Sequence, residues 1–235
     1  VATVPGGRNS FYRMGRDVAS DTLYWLSWTG IVHAVRGFNA SDTAERTYYT
    51  GDGTPKWTDN IKALASAPYP TAYRELGVPA PAAACLLSAA GGVSTTIVTR
   101  RVAYTFVTVN DEESMNSPPS AIITCKLDDI ITIGSFSAVP SGAYDIDRIR
   151  VYITETGSTG SAFFFLREIS SSDTTTTDDG RDRGEPMPSV TWAMPPADLK
   201  FLTAMWNGML AGISGREVRV CEAYTVYAWP TKYTV

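Results

Sequence analysis

The chain has 235 residues, 44% of them hydrophobic and 19% charged, with a formal net charge of −4. That length suits one large or two modest domains, and the balance excludes global disorder. Mild acidity gives none of the basic footprint of a tight nucleic-acid binder, and no apolar run reaches the roughly 20 residues that span a bilayer.

No membrane anchor and no secretory leader is therefore expected. The sequence opens at Val1 rather than Met, which reads as a fragment or a processed product. Its cysteines, Cys85, Cys125 and Cys221, are odd in number and far apart, so they form neither a disulfide framework nor a zinc set. They read as free and mostly buried thiols, although one disulfide stays open to the geometry of the fold.

In chain order the signal is β nearly throughout. Leu23 to Arg36 is dense in aromatic and β-branched residues. Glu45 to Thr50 is a second strand, and Gly51-Asp52-Gly53 follows it as a turn because glycine accepts positive φ. Thr58 to Ala67 has Ile61, Leu64 and Ala65 at helical spacing before Pro68. Gly77 to Pro81 is a stiff extended linker, since two prolines restrict themselves and the residues before them.

From Arg101 to Val109, Val102, Tyr104 and Phe106 share one face, and Ala103, Thr105 and Val107 the other. A turn-rich stretch follows, and Pro118-Pro119 suits an edge. Asp129 to Ile133 is the next strand. Arg148 to Thr154 alternates, with Ile149, Val151 and Ile153 inward. Gly157 to Gly160 is a turn, Ala162 to Ile169 an apolar strand, and Thr174 to Asp179 the last of this series.

Pro196 to Trp206 carries Leu199, Leu202 and Met205 at helical spacing, stopped by Asn207-Gly208. Met209 to Ile213 and Glu217 to Val220 flank Ser214-Gly215-Arg216 as a hairpin. A chain ending soon after such a hairpin leaves strand edges for missing chain or a neighbouring subunit to cover. The fold class is all-β: an antiparallel β-sandwich over residues 82–184, flanked by β segments at 1–81 and 185–235.

The stretch Arg101 to Ser120, RVAYTFVTVNDEESMNSPPS, resembles a fibronectin type III module, and the strands at Ile149 to Ile153, Phe163 to Ile169 and Thr174 to Asp178 fall where that family has its last strands. The flanks 46–56 (RTYYTGDGTPK), 73–81 (YRELGVPAP), 207–218 (NGMLAGISGREV) and 228–230 (AWP) resemble tail nozzle or tail tubular proteins of short-tailed bacteriophages. That resemblance implies a virion tail component: copies of the chain in a ring around the DNA channel, attached to the portal or adaptor and other tail proteins. Genomic DNA would pass through without sequence-specific binding. An acidic chain suits such a conduit, because phosphate neutralisation would make it grip. A tail-fibre anchor or a module binding host-surface glycan or receptor is the alternative.

The chemistry for catalysis is sparse. His33 lies between Val32 and Ala34 in an apolar strand and reads as structural. Gly212 to Arg216 lacks the last glycine of a nucleophile elbow and reads as a turn. Asp173, Asp178, Asp179, Asp182 and Glu185 are in the wrong order for a calcium loop. A glycosidase needs two apposed carboxylates; Asp145 and Asp147 would share a strand face, but such pairs arise by chance, and Asp128-Asp129 would point oppositely. No phosphate loop is present. The reading is non-enzymatic, with no catalytic, cofactor-binding or metal-binding residue.

Aromatic residues crowd both ends of the sequence. Core packing, a subunit interface and sugar stacking all use such residues. Trp25, Trp28, Trp206 and Trp229 are the interface candidates.

Overall fold

The computed structural model describes residues 4–14, 24–38, 42–155, 162–180 and 182–235. It is all-β, built from antiparallel sheets. The chain forms two compact units: one draws on residues 1–77, 142–144 and 194–235, the other on 78–141 and 145–193.

The first unit begins with β1 (Ser10–Met14), paired with β2 (Tyr24–Trp28). Next come β3 (His33–Arg36), β4 (Thr47–Thr50), β5 (Lys56–Thr58) and β6 (Arg74–Glu75), which form one sheet in that order. Aromatic and β-branched residues make β4 the natural centre, and all four of its residues are buried. Gly51 ends it at φ +102°, where a Cβ would overlap the Ile31 carbonyl. Only glycine fits there, as the turn reading required. The expected helix from Thr58 shrinks to α1 (Asn60–Ala63), which is capped by the Asp59 carboxylate accepting from the Lys62 N–H at 2.7 Å. Its end is fixed because the Ala63 carbonyl accepts from the Thr71 N–H at 2.9 Å, drawing the chain back.

The second unit is an antiparallel β-sandwich. Its strands are β7 (Leu86–Ala90), β8 (Ile97–Arg100), β9 (Val102–Thr108), β10 (Ile123–Lys126), β11 (Ile130–Gly134), β12 (Ile146–Thr154), β13 (Phe163–Ser170) and β14 (Thr175–Asp178). One sheet runs β14-β11-β7, another β13-β12-β9, and β8 pairs with β10. Between the sheets Val102, Tyr104, Phe106, Ile131, Ile133, Ile149, Val151 and Ile153 form the core. Each fully buried apolar side chain of this size stabilises by about 1.5–3 kcal/mol. The alternation read for β9 and β12 is the one observed, but the outer face of β9 is covered too, so all seven of its residues are buried. Tyr152, expected to face outward, packs with Ala103 and Met187 in a smaller cluster. The Gly157–Gly160 turn lies outside the described residues.

β7-β8 and β11-β10 form one long ladder with a corner, from Leu86↔Gly134 through Ala90↔Ile130 to Ile97↔Lys126. Asp128 and Asp129 hold that corner. Asp129 accepts from the Gly92 N–H at 2.7 Å, and Asp128 from those of Val93 and Ser94 at 2.9 Å each.

The outer edge of β9 is closed by a strap of three serines at three-residue steps. The N–H groups of Ser114, Ser117 and Ser120 donate to the carbonyls of Phe106, Tyr104 and Val102. Each hydroxyl accepts the N–H of the same β9 residue, at 2.9, 3.1 and 2.9 Å. Pro118 and Pro119 fit between them because proline has no N–H to leave unpaired. The first part of the outer edge of β13 is covered by residues 184–187, which exchange backbone bonds with Phe163 and Phe165.

The first unit is completed by β15 (Lys200–Ala204), β16 (Leu210–Ser214) and β17 (Glu217–Val220). The helix expected from Pro196 is corrected here: the segment is strand β15. Its register shifts between Lys200 and Thr203, and Phe201 sits at φ +56°. Such a bulge breaks the two-residue alternation. It turns Leu199 and Leu202, three apart, into one core, so a bulged strand imitates helical spacing. The β16–β17 hairpin forms as read, with Gly215 at φ +58°. The expectation of an open edge after it is corrected at Val218, whose N–H and carbonyl both bond to Val235, at 2.8 and 3.1 Å.

Candidate interaction surface

The four tryptophans proposed from sequence have different fates. Trp28 is buried against Tyr49, ring centroids 5.1 Å apart. Trp229 is buried in the cluster of Leu199, Leu210 and Cys221, and its indole N–H donates to the Val226 carbonyl at 2.9 Å. Trp25 is half-buried on β2. Trp206 is 95% exposed, in the loop joining β15 to β16.

That loop is held at its base by a backbone hydrogen bond. The Met205 N–H donates to the Met209 carbonyl at 2.8 Å, closing it. Tyr224 lies beside it at φ +57° and 77% exposed, its N–H donating to the Gly208 carbonyl at 2.8 Å. The Tyr224 ring covers Gly208 so closely that a Cβ there would sit 2.5 Å from Cε1. Left-handed backbone costs a tyrosine free energy, and such outliers persist where the surroundings fix them. The Asn207-Gly208 pair was legible as a stop signal. Its use as a seat for an aromatic ring was not, because Tyr224 is sixteen residues further on.

The groups searched for chemistry are engaged structurally. His33 packs on Phe201 at 5.0 Å. Asp147 pairs with Arg148 at 3.1 Å, and Asp145 precedes β12 with φ +56°. In the acidic cluster, Asp178 accepts both terminal nitrogens of Arg183 at 2.8 Å, and Asp179 pairs with Arg167. Among the described residues, no group of three histidine, cysteine or carboxylate side chains is placed to hold a metal. Cys85, Cys125 and Cys221 are free and buried. Burial pushes the thiols of Cys85 and Cys221 up to about 11 each and raises that of Cys125.

A cavity of about 360 Å³ in the second unit is lined by Arg100, Cys125, Glu155, Asp178 and Arg183 among others. Its charges largely satisfy one another, since Arg183 also bonds Glu155 and Arg100 lies 3.8 Å from it. A site missed from sequence is Glu113. It is 3% exposed and accepts from Thr105 Oγ1, Tyr152 Oη, Ser189 Oγ and Arg150, at 2.9, 2.7, 3.0 and 3.0 Å. This carboxylate is fully engaged and pins β9, β12 and the short 3-10 helix Ser189–Thr191 together.

No protein-family model matches the chain, and no curated protein matches it. No helix among the described residues is long and apolar enough to cross a membrane.

Proposed function

We propose that the chain is a non-enzymatic structural protein of a short-tailed bacteriophage tail, assembling as a ring of copies around the DNA channel and joined to portal, adaptor and other tail proteins. The single observation in the fold that supports it is Trp206, 95% exposed on a closed loop beside the exposed Tyr224. Water is a poor neighbour for so large an apolar surface, and tryptophan and tyrosine are enriched among the anchors of protein interfaces. The sequence resemblance supplies the tail. The net charge of −4 suits a wall past which DNA slides without being held.

The mass of the full chain in solution, followed by imaging of virions with the chain located, tests this. A ring in the tail supports the proposal. A monomer at every concentration, absent from virions, overturns it. The same two rings would suit stacking on sugars, so binding of host envelope polysaccharide by the isolated monomer would favour the glycan-binding alternative.

A further inference from the structure

We infer that the sandwich joins copies of this chain edge to edge, β14 of one copy laying itself against β7 of the next. The inference rests on the ring reading above and names the contact that reading leaves open.

β11 lies at the centre of its sheet, with β14 on one side and β7 on the other. Both flanking strands take their ladder from β11. Among the described residues, neither Leu86–Ala90 nor Thr175–Asp178 has a backbone partner on its far side. The other sheet is covered in part by its own chain, β9 by the serine strap and Phe163–Phe165 of β13 by residues 184–187. Among the described residues, β7 and β14 have no such cover.

Soluble proteins guard bare edges with lysine, proline, a bulge, a very short strand or an inward-pointing charge. β7 has no charge, proline or bulge, and β14 is short and has only the buried Asp178, which Arg183 neutralises. β7 reads Leu-Leu-Ser-Ala-Ala and β14 Thr-Thr-Thr-Asp, and neither pairing with β11 shifts register. Leu86 is 69% exposed, and Thr175 is exposed as well. A row of unpaired N–H and C=O groups is complementary to one thing, another extended backbone.

Geometry selects a second copy. β7 and β14 are both antiparallel to β11, so they run parallel to each other. They match in length, five residues and four. Each copy thus presents two different edges on opposite sides of one sheet. Joining β14 to the next copy's β7 satisfies both and leaves the same pair of edges at the ends of the growing assembly. Such a heterologous contact propagates until rotation closes it into a ring.

The test is hydrogen exchange on the full chain, read by mass spectrometry at low and high concentration beside its sedimentation. Assembly that slows the amides of residues 86–90 and 175–178 supports the inference. So does weakening of association by about tenfold or more in Leu86→Lys and in Thr175→Lys, where a charge would be desolvated in the new ladder. Exchange needs no variant, so a misfolded mutant cannot blunt the result. Assembly that leaves those amides exchanging as they do in the dilute chain overturns the edge contact while the ring reading stands. A chain that never assembles overturns both.

Discussion

Ser117 and Tyr104 exchange two hydrogen bonds: the Ser117 N–H reaches the Tyr104 carbonyl at 2.7 Å, and the Ser117 hydroxyl accepts the Tyr104 N–H at 3.1 Å. The serine thus behaves as a whole residue of a neighbouring strand, its hydroxyl standing in for a backbone carbonyl. Ser117 and Tyr104 are both fully buried, so no water can replace the bond. Ser117→Ala leaves the Tyr104 N–H unsatisfied, which costs about 1–3 kcal/mol. The expected result in urea denaturation is a lower midpoint with an unchanged slope. An unchanged midpoint would mean that the strap adds nothing to the edge.

Glu113 is the second place where a loop residue determines the sandwich. Its carboxylate gathers Thr105, Tyr152, Ser189 and Arg150. Glu113→Ala removes the acceptor of four donors at once. Breaking a buried charged pair by deleting one partner costs about 3–5 kcal/mol. Glu113→Gln keeps one acceptor oxygen and is expected to lose less. Thermal melts of the two variants, ranked against wild type, check the order. Equal melting temperatures for wild type and Glu113→Ala would show that the network is idle.

The strands that alternate cleanly were legible. Arg148 to Thr154 announces its faces by period two, and Ile149, Val151 and Ile153 are indeed inside. The Ser114, Ser117 and Ser120 strap was not, because its period of three belongs to no regular strand or helix, and its prolines suggested only an edge. β15 misled for a related reason: Leu199 and Leu202 obey a bulge and not a helix. The short strands β7, β8 and β10 lack a strong apolar pattern because they are half-exposed. Of the candidate surface, the tryptophans were visible, but sequence could not tell Trp229, sealed by its bond to Val226, from Trp206 in the open.

That difference is measurable. Trp229→Ala empties a core position and is expected to cost about 3–5 kcal/mol, whatever its effect on assembly. Trp206→Ala removes a side chain that touches solvent, so folding stability should stay within about 0.5 kcal/mol of wild type. Its effect should appear only in association, as a weaker self-assembly in sedimentation. If Trp206→Ala unfolds more easily and assembles as before, the exposed loop is not an interface.

Alkali should reveal the buried thiols. Burial lifts Cys85 and Cys221 from 9.0 to about 11, partly offset at Cys221 by the Leu210 N–H that donates to its sulfur at 3.0 Å. The folded chain therefore holds these protons more tightly than the unfolded chain does. Their contribution to stability is whole below about pH 9 and is lost as pH rises towards about 11. Tyr49 and Tyr152, also raised by burial, act in the same direction. Urea midpoints measured from about pH 7 to about pH 11 should stay level as far as about pH 9 and then fall. Because the thiolate is the reactive form, an alkylating reagent near neutral pH should label these cysteines slowly in the native protein and rapidly in denaturant. Rapid labelling of both in the native state would show that the cores around them are open.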